Sequence, residues 1–349
     1  MSLELVDVSV QFHRSGRTPV PAVVGVSLHV DPSCILGLVG ESGSGKSSLG
    51  RAAVGVYRPS HGQVLFNGEP VRHLGALARP RNQIGLQMVF QNPFESLNPR
   101  RRIGSQILDG MTRSGMSRKA RLKRMTESLE QLGLPARAAG RYPHQFSGGQ
   151  RQRIAIARAL AVAPSIMVLD EPLASLDASA QAQLANTLRV LADDQHVGML
   201  LISHDLAIVR HVADQLAVMY LATIVESGPT ADVWSLPLHP YTEALIGAIP
   251  TADGKGQLPI ALTGEVGDPA APPSGCRFHP RCPYAREKCV RETPPLLDIA
   301  PGRKVACWLH RPGRTLRPPA EQDPGDLGAP ISLPHGQDVL AHTGGLTTT

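Results

Sequence analysis

A glycine-rich segment, GESGSGKSS at residues 40–48, restricts the fold of this 349-residue chain more than any other feature. It fits the pattern G-x-x-x-x-G-K-[ST], follows the apolar run CILGLVG and precedes a helical stretch, KSSLGRAAVG. A strand, a glycine-rich loop and a helix in this order are typical of an α/β core whose loop holds phosphate groups. The glycines let backbone N–H groups surround phosphate oxygens, Lys46 supplies a positive charge, and the Ser47 hydroxyl can bind Mg²⁺.

Two adjacent carboxylates end the apolar stretch SIMVLDEP at residues 165–172. A buried strand that ends in Asp170 would hold this carboxylate beside a metal ion, and Glu171 would then point toward an attacking water. The stretch alone equally fits a buried strand with an acidic end. Together with the loop at residues 40–48, it predicts a site for nucleotide hydrolysis.

A second candidate anion site lies between these two segments, in FSGGQRQRIAIARAL. Residues Phe146 to Gln150 begin a predicted helix, where the Ser147 hydroxyl and free backbone N–H groups would face an anion. An ordinary capped helix fits the same residues. One chain therefore carries two candidate phosphate-binding elements, about a hundred residues apart.

The composition is that of a globular protein, with 42% hydrophobic residues and a net charge of +6. The sequence contains no uninterrupted apolar run of about eighteen residues, and its first residues, MSLELVDVSV, lack the plan of a signal peptide. We therefore expect a cytoplasmic chain that does not span the membrane. The excess of basic residues fits attraction to nucleic acid or to an anionic membrane, and equally a solvated surface.

Apolar patterns divide the chain into a core, an insertion and a C-terminal part. Strand patterns dominate residues 2–40, whereas helical patterns dominate residues 98–142. Helical spacing is clear in one segment of this insertion, at Leu122, Met125, Leu129 and Leu132. Further along, glycine, proline and alanine predict a linker over residues 251–274, then a cysteine-containing module over 275–310 and a disordered tail over 311–349.

Seven sequence elements occur in an order that resembles the ATP-binding subunit of an ABC transporter, over about residues 2–250. They are the loop Gly40–Ser47, Gln91 in MVFQNP, the signature Ser147–Gln150, the strand Ile166–Asp170, Glu171, the segment Ser175–Asp177, and His204 in LISHD. The resemblance implies an α/β P-loop ABC ATPase core with an antiparallel β subdomain, a helical subdomain at about residues 92–146 and a C-terminal cysteine-containing extension. Residues 1–250 would form the nucleotide-binding domain.

The resemblance also implies roles for individual residues. Glu171 would polarise the attacking water, His204 would contact the γ-phosphate, and Gln91 would report the nucleotide state to a membrane partner. The ligands of Mg²⁺ would be Ser47, Gln91 and Asp170. ATP would contact Phe12, Gly40, Ser42, Gly43, Gly45, Lys46, Ser47, Ser48, Ser147, Gly148, Gly149, Gln150 and Asp177. Phe12 would stack on adenine, although a plain edge-strand phenylalanine fits its position as well.

Partners follow from the same resemblance. Two ATPase subunits would pair head to tail, as a homodimer or a heterodimer, with each ATP between the Lys46 loop of one subunit and the Ser147 signature of the other. Two membrane permease subunits and an extracytoplasmic solute-binding protein would complete the transporter, and no nucleic acid would take part. The chain would be a peripheral subunit at the cytoplasmic face of the cell membrane.

Two apolar residues in the polar segment NPFESLNP, Phe94 and Leu97, are candidates for docking on a permease. Residues 91–142 would form the docking region, because apolar side chains in a polar loop need a partner for burial. Burial of the same two side chains under the insertion itself fits the sequence equally well.

Four of the five cysteines lie late in the sequence, at Cys276, Cys282, Cys289 and Cys307. Five, six and seventeen residues separate them, which is not the paired spacing of zinc fingers. Disulfides are not expected in a reducing cytosol. Three interpretations remain: a zinc ion with His279 or His310 as a substitute ligand, an iron–sulfur cluster on four thiolates, or four unligated core cysteines.

Two late segments, HPYTEALIGAIP at 239–250 and GCRFHPRCPYA at 275–285, resemble the C-terminal extension of ATP-binding subunits from dipeptide and oligopeptide importers. Some members of that family hold a 4Fe–4S cluster in a similar segment, so the resemblance favours this cluster over zinc. Since the phosphate-contacting residues all lie before residue 250, we expect ATP hydrolysis to survive loss of the metal.

These features together predict an ATP-hydrolysing subunit that powers import of dipeptides or oligopeptides through separate permease subunits. Another solute of the same subclass, such as nickel, an opine or a sugar, is one alternative. A soluble ATPase of the superfamily that acts on DNA or ribosomes is another. That class would be expected to carry two cassettes or a long coiled-coil insertion, and the sequence shows neither.

Overall fold

The computed structural model describes residues 1–13, 19–75, 79–92, 96–174, 176–249, 267–322 and 324–331. Four strands of these residues form a small antiparallel sheet: β1 (Leu3–Phe12), β2 (Val20–Val30), β4 (His61–Phe66) and β5 (Glu69–Pro70). Their order in the sheet is β2-β1-β4-β5. The alternating sequence of β1 explains its place, because Leu3, Leu5, Val8 and Val10 are buried against the core.

The larger sheet has eight strands: β3 (Ile35–Val39), β6 (Leu86–Val89), β7 (Ile166–Asp170), β8 (Gly198–Ser203), β9 (Gln215–Tyr220), β10 (Thr223–Pro229), β11 (Leu297–Ala300) and β12 (Arg303–Val305). Their order is β11-β12-β10-β9-β3-β8-β7-β6, and the strands from β9 to β6 are parallel. Buried apolar runs such as ILGLV and GMLLIS suit strands that are covered on both faces. The carboxyl ends of β3, β7 and β8 therefore meet at one edge.

The α-helices of the described residues are α1 (Lys46–Ala53), α2 (Ile103–Gly110), α3 (Arg118–Gln131), α4 (Gly148–Leu160), α5 (Ala178–Gln195), α6 (Leu206–Val212), α7 (Thr230–Ser235), α8 (Pro240–Gly247) and α9 (Glu287–Arg291). α1 begins directly after the glycine-rich loop, and its buried residues include Leu49, Ala52 and Ala53. Among the helices described, none has both the length and the apolar composition that a membrane span requires.

The helical insertion contains α2, α3 and two 3₁₀ turns, at Ala136–Gly140 and Pro143–Gln145. Ser117 caps α3, because its side chain accepts a hydrogen bond from the Ala120 N–H. Three of the four residues at helical spacing are buried, namely Met125, Leu129 and Leu132. Leu122 lies on the same helix but is 41% exposed. Burial on α3 begins only at Met125, and the first turn lies outside the packed face.

Leu97 is not available for docking on a partner. It is 3% exposed and belongs to the same apolar cluster as Ile103 and Ile107 of α2. The second sequence interpretation, burial under the insertion itself, is therefore the correct one for Leu97. Phe94 lies outside the described residues.

The C-terminal part extends the larger sheet. β12 pairs with β10, where Val305 lies opposite Glu226, and β11 pairs with β12. Residues 324–331 pack against α9, since Leu327 is 1% exposed and its carbonyl accepts a hydrogen bond from the Lys288 N–H. This differs from the disorder expected from residue 311 onward, because an apolar side chain is buried there. Residues 332–349 and most of the predicted linker lie outside the described residues.

Candidate functional site

Three glycines with positive φ angles shape the loop between β3 and α1. The φ angles are 151° at Gly40, 80° at Gly43 and 108° at Gly45. A Cβ atom at Gly40 would lie 2.1 Å from the Met219 carbonyl oxygen, and one at Gly45 would lie 2.1 Å from the Ala22 carbonyl oxygen. The loop therefore needs glycine at these positions. It leads into the N-terminus of α1, where backbone N–H groups favour an anion.

The Lys46 side chain folds back over this loop. Its Nζ donates hydrogen bonds to the carbonyl oxygens of Gly40 at 2.7 Å and Glu41 at 2.8 Å. Burial lowers the pKa of Lys46, while the charges of Glu171, Asp170 and Glu41 oppose this change. These acidic neighbours favour the charged ammonium form. The ammonium can exchange its carbonyl acceptors for the oxygens of an incoming phosphate.

A hydroxyl and a carboxylate meet beside the loop, at the end of β7. Ser47 Oγ donates a hydrogen bond to Asp170 Oδ1 at 2.8 Å. The other carboxylate oxygen, Asp170 Oδ2, is buried without a hydrogen-bond partner in the part of the chain that the structure describes. Burial also raises the pKa of Asp170. An unpaired carboxylate oxygen next to a hydroxyl fits a hard divalent cation such as Mg²⁺, which prefers oxygen ligands.

Glu171 and His204 form a second pair at the same edge. His204 Nδ1 lies 2.8 Å from Glu171 Oε2, and the glutamate is buried whereas the histidine is exposed. Glu171 has a φ angle of 49°, a strained conformation for a residue with a side chain, and its N–H donates to the Ile202 carbonyl oxygen. The backbone thus fixes a carboxylate that can accept a proton from a water molecule, while the imidazole holds one of its oxygens.

The segment Ser147–Gln150 begins α4 with two reciprocal hydrogen bonds. Ser147 Oγ accepts from the Gln150 N–H at 3.3 Å, and Gln150 Oε1 accepts from the Ser147 N–H at 3.1 Å. A Cβ atom at Gly149 would lie 2.4 Å from Leu176 Cδ2, so the Leu176 side chain packs directly against this glycine. Ser147 and Gln150 therefore cap α4 in the ordinary way, as the alternative interpretation of this segment expects. Because Ser147 is exposed, the N-terminus of α4 is also open to an anion from outside the chain.

Phe12 lies at the end of β1 and is 37% exposed. Its ring contacts that of Tyr57 edge to face, with 5.1 Å between centroids and an interplanar angle of 82°. Tyr57 Oη accepts a hydrogen bond from Arg51 Nη1 at 2.9 Å. The sequence analysis did not identify Tyr57 as a neighbour of Phe12. The signal that could have done so is the aromatic character of Tyr57 itself, shortly after α1.

The other expected residues surround this site. Ser42 and Gln91 are exposed, and Ser48 is half-buried in the first turn of α1. Asp177 caps α5 by accepting a hydrogen bond from the Ala180 N–H at 2.8 Å. Ser175 lies outside the described residues. The structure thus gathers the loop and the ends of β7 and β8 at one place, and leaves the start of α4 on the exposed surface.

Sequence comparisons bear on the family of this chain. Residues 23–174 match the ABC transporter family, and residues 225–289 match the C-terminal region of oligopeptide/dipeptide transporters. The chain is 43% identical over 319 residues to the oligopeptide transport ATP-binding protein AppF of Bacillus subtilis, an alignment that covers 88% of this chain and 97% of that protein. The chain belongs to the family of ABC transporter ATP-binding proteins.

This ABC ATP-binding protein has further relatives. It is 44% identical over 332 residues to the probable peptide ABC transporter ATP-binding protein y4tS of Sinorhizobium fredii, with 93% of each chain covered. Its structure is similar to a dimeric, post-hydrolysis ATP-binding cassette bound to ADP and Pi, with a TM-score of 0.59, 25% identity, and coverage of 65% of this chain and 98% of that one. These findings confirm the predicted P-loop ABC ATPase fold of mixed α/β content.

The four late cysteines of the ABC ATP-binding protein line one small cavity of about 20 Å³. Burial raises the pKa of Cys276 to about 11 and also raises the pKa of Cys282 and of Cys307. Within the described ranges, no three His, Cys, Asp or Glu side chains are arranged to hold a metal ion. The predicted iron–sulfur or zinc centre is therefore not confirmed. Buried thiols stay protonated, and they bind metal only after losing the proton.

Sequence reasoning also missed two residues of the ABC ATP-binding protein that hold its phosphate-binding loop. Tyr241 of α8 and Arg281 of the C-terminal part both contact Glu41, across 200 and 240 residues of sequence. No local pattern signals a contact over such a separation. The sequence signal that could have pointed to these contacts is a charged residue, Glu41, inside the glycine-rich loop.

Proposed function

We propose that this chain is the ATP-hydrolysing subunit that powers import of dipeptides and oligopeptides across the cytoplasmic membrane through separate permease subunits. The observation that carries the proposal is the Glu171–His204 pair beside the Lys46 loop, in a chain that also matches the oligopeptide/dipeptide transporter C-terminal region. The names of both curated relatives favour peptides over nickel, opines or sugars. The same C-terminal match favours transport over an action on DNA or ribosomes.

ATP would bind with its phosphates at the N-terminus of α1. Lys46 Nζ would exchange the Gly40 and Glu41 carbonyl oxygens for oxygens of the β- and γ-phosphates. Ser47 and Asp170, with Gln91, would hold Mg²⁺, which neutralises charge on the same phosphate oxygens when bound. Phe12 is exposed at the end of β1 and offers a ring for the adenine.

Hydrolysis would use the pair at the ends of β7 and β8. Glu171 accepts a proton from the water as the water oxygen bonds to the γ-phosphorus, and ADP leaves with the electron pair of the broken P–O bond. His204 holds Glu171 Oε2 through Nδ1, so the second oxygen of the carboxylate remains for the water. The exposed His204 side chain can also contact the γ-phosphate.

A second ATPase subunit, identical or related, would complete each site. The exposed Ser147 at the start of α4 would face the γ-phosphate held by the partner's Lys46 loop, and the dimeric form of the similar cassette supports this arrangement. Two permeases would contact the helical insertion, and a solute-binding protein would deliver peptide from outside. In this assembly residues 1–250 form the nucleotide-binding domain, 251–274 the linker and 275–310 the extension, at the cytoplasmic face of the membrane.

Peptide uptake into liposomes tests this function. The chain, its permeases and the solute-binding protein are reconstituted with ATP on the side of the ATPase subunits. We expect uptake of a labelled peptide that stops with Lys46→Ala, because the loop then lacks its positive charge. The matched control Lys304→Ala, at an exposed position, should transport normally. ATP hydrolysis without peptide uptake, or uptake that survives Lys46→Ala, would contradict the proposal.

We also propose that Cys276, Cys282, Cys289 and Cys307 hold a 4Fe–4S cluster, with zinc as the alternative. In favour, all four line one cavity, and a bound cation would stabilise the thiolate forms of Cys276, Cys282 and Cys307, which burial alone disfavours. His310 is engaged through both ring nitrogens, Nε2 with the Leu238 carbonyl oxygen and Nδ1 with Gln322 Nε2. His279 contacts the Cys276 carbonyl oxygen through Nδ1, which leaves it a candidate ligand for zinc through Nε2.

Metal analysis of protein purified without oxygen separates the alternatives. A 4Fe–4S cluster predicts brown protein with about four irons per chain, whereas zinc leaves it colourless. Cys282→Ser should lose the metal, and Cys34→Ser, outside the cavity, should keep it. Colourless protein with one zinc per chain would show that the site binds zinc and not an iron–sulfur cluster. Metal-free protein with a protease-resistant C-terminal part would contradict both.

A further inference from the structure

Glu41, the second residue of the glycine-rich loop, is held through three different groups. Its backbone N–H donates a hydrogen bond to Tyr241 Oη at 2.8 Å, and its carbonyl oxygen accepts the bond from Lys46 Nζ. Its carboxylate forms a two-point ion pair with Arg281, from Nη1 to Oε2 at 2.8 Å and from Nη2 to Oε1 at 3.0 Å. Paired bonds of this kind fix orientation as well as position.

The residues that hold Glu41 are themselves tightly packed. The Arg281 side chain is only 4% exposed, and its guanidinium carbon lies 5.9 Å from the ring centroids of both Tyr220 and Phe278. Tyr241 is fully buried, and its ring centroid lies 4.6 Å from that of Tyr220 and 5.4 Å from that of Phe278. The guanidinium therefore cannot easily follow the loop if the loop moves.

The negative charge of Glu41 is unfavourable in a loop that binds phosphate. Asp170 and Glu171 already supply negative charge beside Lys46, and ATP brings more. A half-buried carboxylate on the loop would repel the phosphates at short range, where water screens poorly. Arg281 offsets this repulsion by pairing with both oxygens of the carboxylate.

We propose that Arg281 is a positioning residue for ATP: its ion pair with Glu41 neutralises the loop carboxylate and holds the loop in the form that binds phosphate. The inference rests on the proposed ATPase function and adds to it that the C-terminal part sets nucleotide affinity. Arg281 directly precedes Cys282. The expectation that ATP hydrolysis survives loss of the metal did not include this contact.

A double-substitution experiment on the full chain tests the pair. The dissociation constant of trinitrophenyl-ATP and the steady-state KM and kcat for ATP are measured for Arg281→Gln, Glu41→Gln and the double variant. Arg281→Gln should weaken binding about tenfold or more, because it leaves the half-buried Glu41 carboxylate unpaired beside the phosphates. It should raise KM with little change in kcat, since Glu171 and His204 are untouched. The double variant should recover most of the affinity, because no unpaired carboxylate remains.

A matched control and a second variant at position 281 accompany this experiment. Arg291→Gln, at an exposed ion pair on α9, should bind like the unaltered chain. If Arg281→Gln does not fold, Arg281→Lys keeps the charge without the two-point bond and should bind with intermediate affinity. Unchanged affinity in a folded Arg281 variant, or a double variant as weak as Arg281→Gln, would overturn the proposal. Binding without hydrolysis in the unaltered chain would instead overturn the ATPase function and leave this inference standing.

Discussion

Replacing Glu226 by leucine is expected to lower the free energy of unfolding by about 3–5 kcal/mol. Glu226 is fully buried, and its carboxylate accepts hydrogen bonds from the backbone N–H groups of Leu238 at 3.0 Å and His239 at 2.8 Å. It also pairs with Arg303 at 3.0 Å, whose side chain is 5% exposed. The substitution leaves two buried N–H groups without their acceptor and the buried Arg303 guanidinium without its counter-charge, although Arg303 keeps its bond to the Leu236 carbonyl oxygen.

Urea unfolding of the full chain measures this loss. The midpoint should fall with little change in slope, because the same surface is exposed on unfolding. Glu127→Gln is the matched control, since Glu127 pairs with Lys123 at 3.6 Å on the exposed surface of α3. The control should change stability by less than about 1 kcal/mol. Equal midpoints for the two variants would contradict a structural role for Glu226.

The Glu226–Arg303 pair also explains why the C-terminal part packs on the core. Arg303 lies on β12 and Glu226 on β10, so the ion pair reinforces the pairing of the two strands. The N–H groups that Glu226 accepts from lie just before α8, the helix that carries Tyr241. One carboxylate thus joins the added strands to the helix that contacts the phosphate-binding loop.

Much of the core and of the ATP site was predictable because the signals are local. Runs such as ILGLV and IMVLD are too short for helices and too apolar for the surface, and each is followed by residues with a chemical role. The G-x-x-x-x-G-K-S pattern fixes a loop conformation that only glycine allows. The sequence therefore predicts one site from Lys46, Asp170 and Glu171, and the structure brings the three together; their roles in hydrolysis stay a prediction.

The remaining features depend on contacts between distant residues. Glu226 and Arg303 are charged residues, a type that is almost never fully buried unless paired, and they form such a pair across 77 positions of sequence. Arg281 and Glu41 are 240 positions apart. Leu97 and Leu122 were judged by local polarity and spacing, whereas the packing of the insertion decides which one is buried.

Glu171→Gln is expected to lower the rate of ATP hydrolysis by a factor of about 10²–10⁴. The amide can still hydrogen-bond to His204 and to the water, but it cannot take up a proton. ATP binding should be retained, because Lys46, Ser47 and Asp170 remain in place. Glu69→Gln, at an exposed position on β5, is the control and should hydrolyse ATP normally.

The most direct test of the proposed chemistry measures nucleotide binding and phosphate release in the same preparation of the Glu171→Gln variant. Our account predicts that the variant binds Mg²⁺–ATP as tightly as the unaltered chain, while its phosphate release falls about a hundredfold or more. Phosphate release near the rate of the unaltered chain, with binding intact, would contradict the assignment of Glu171 as the base.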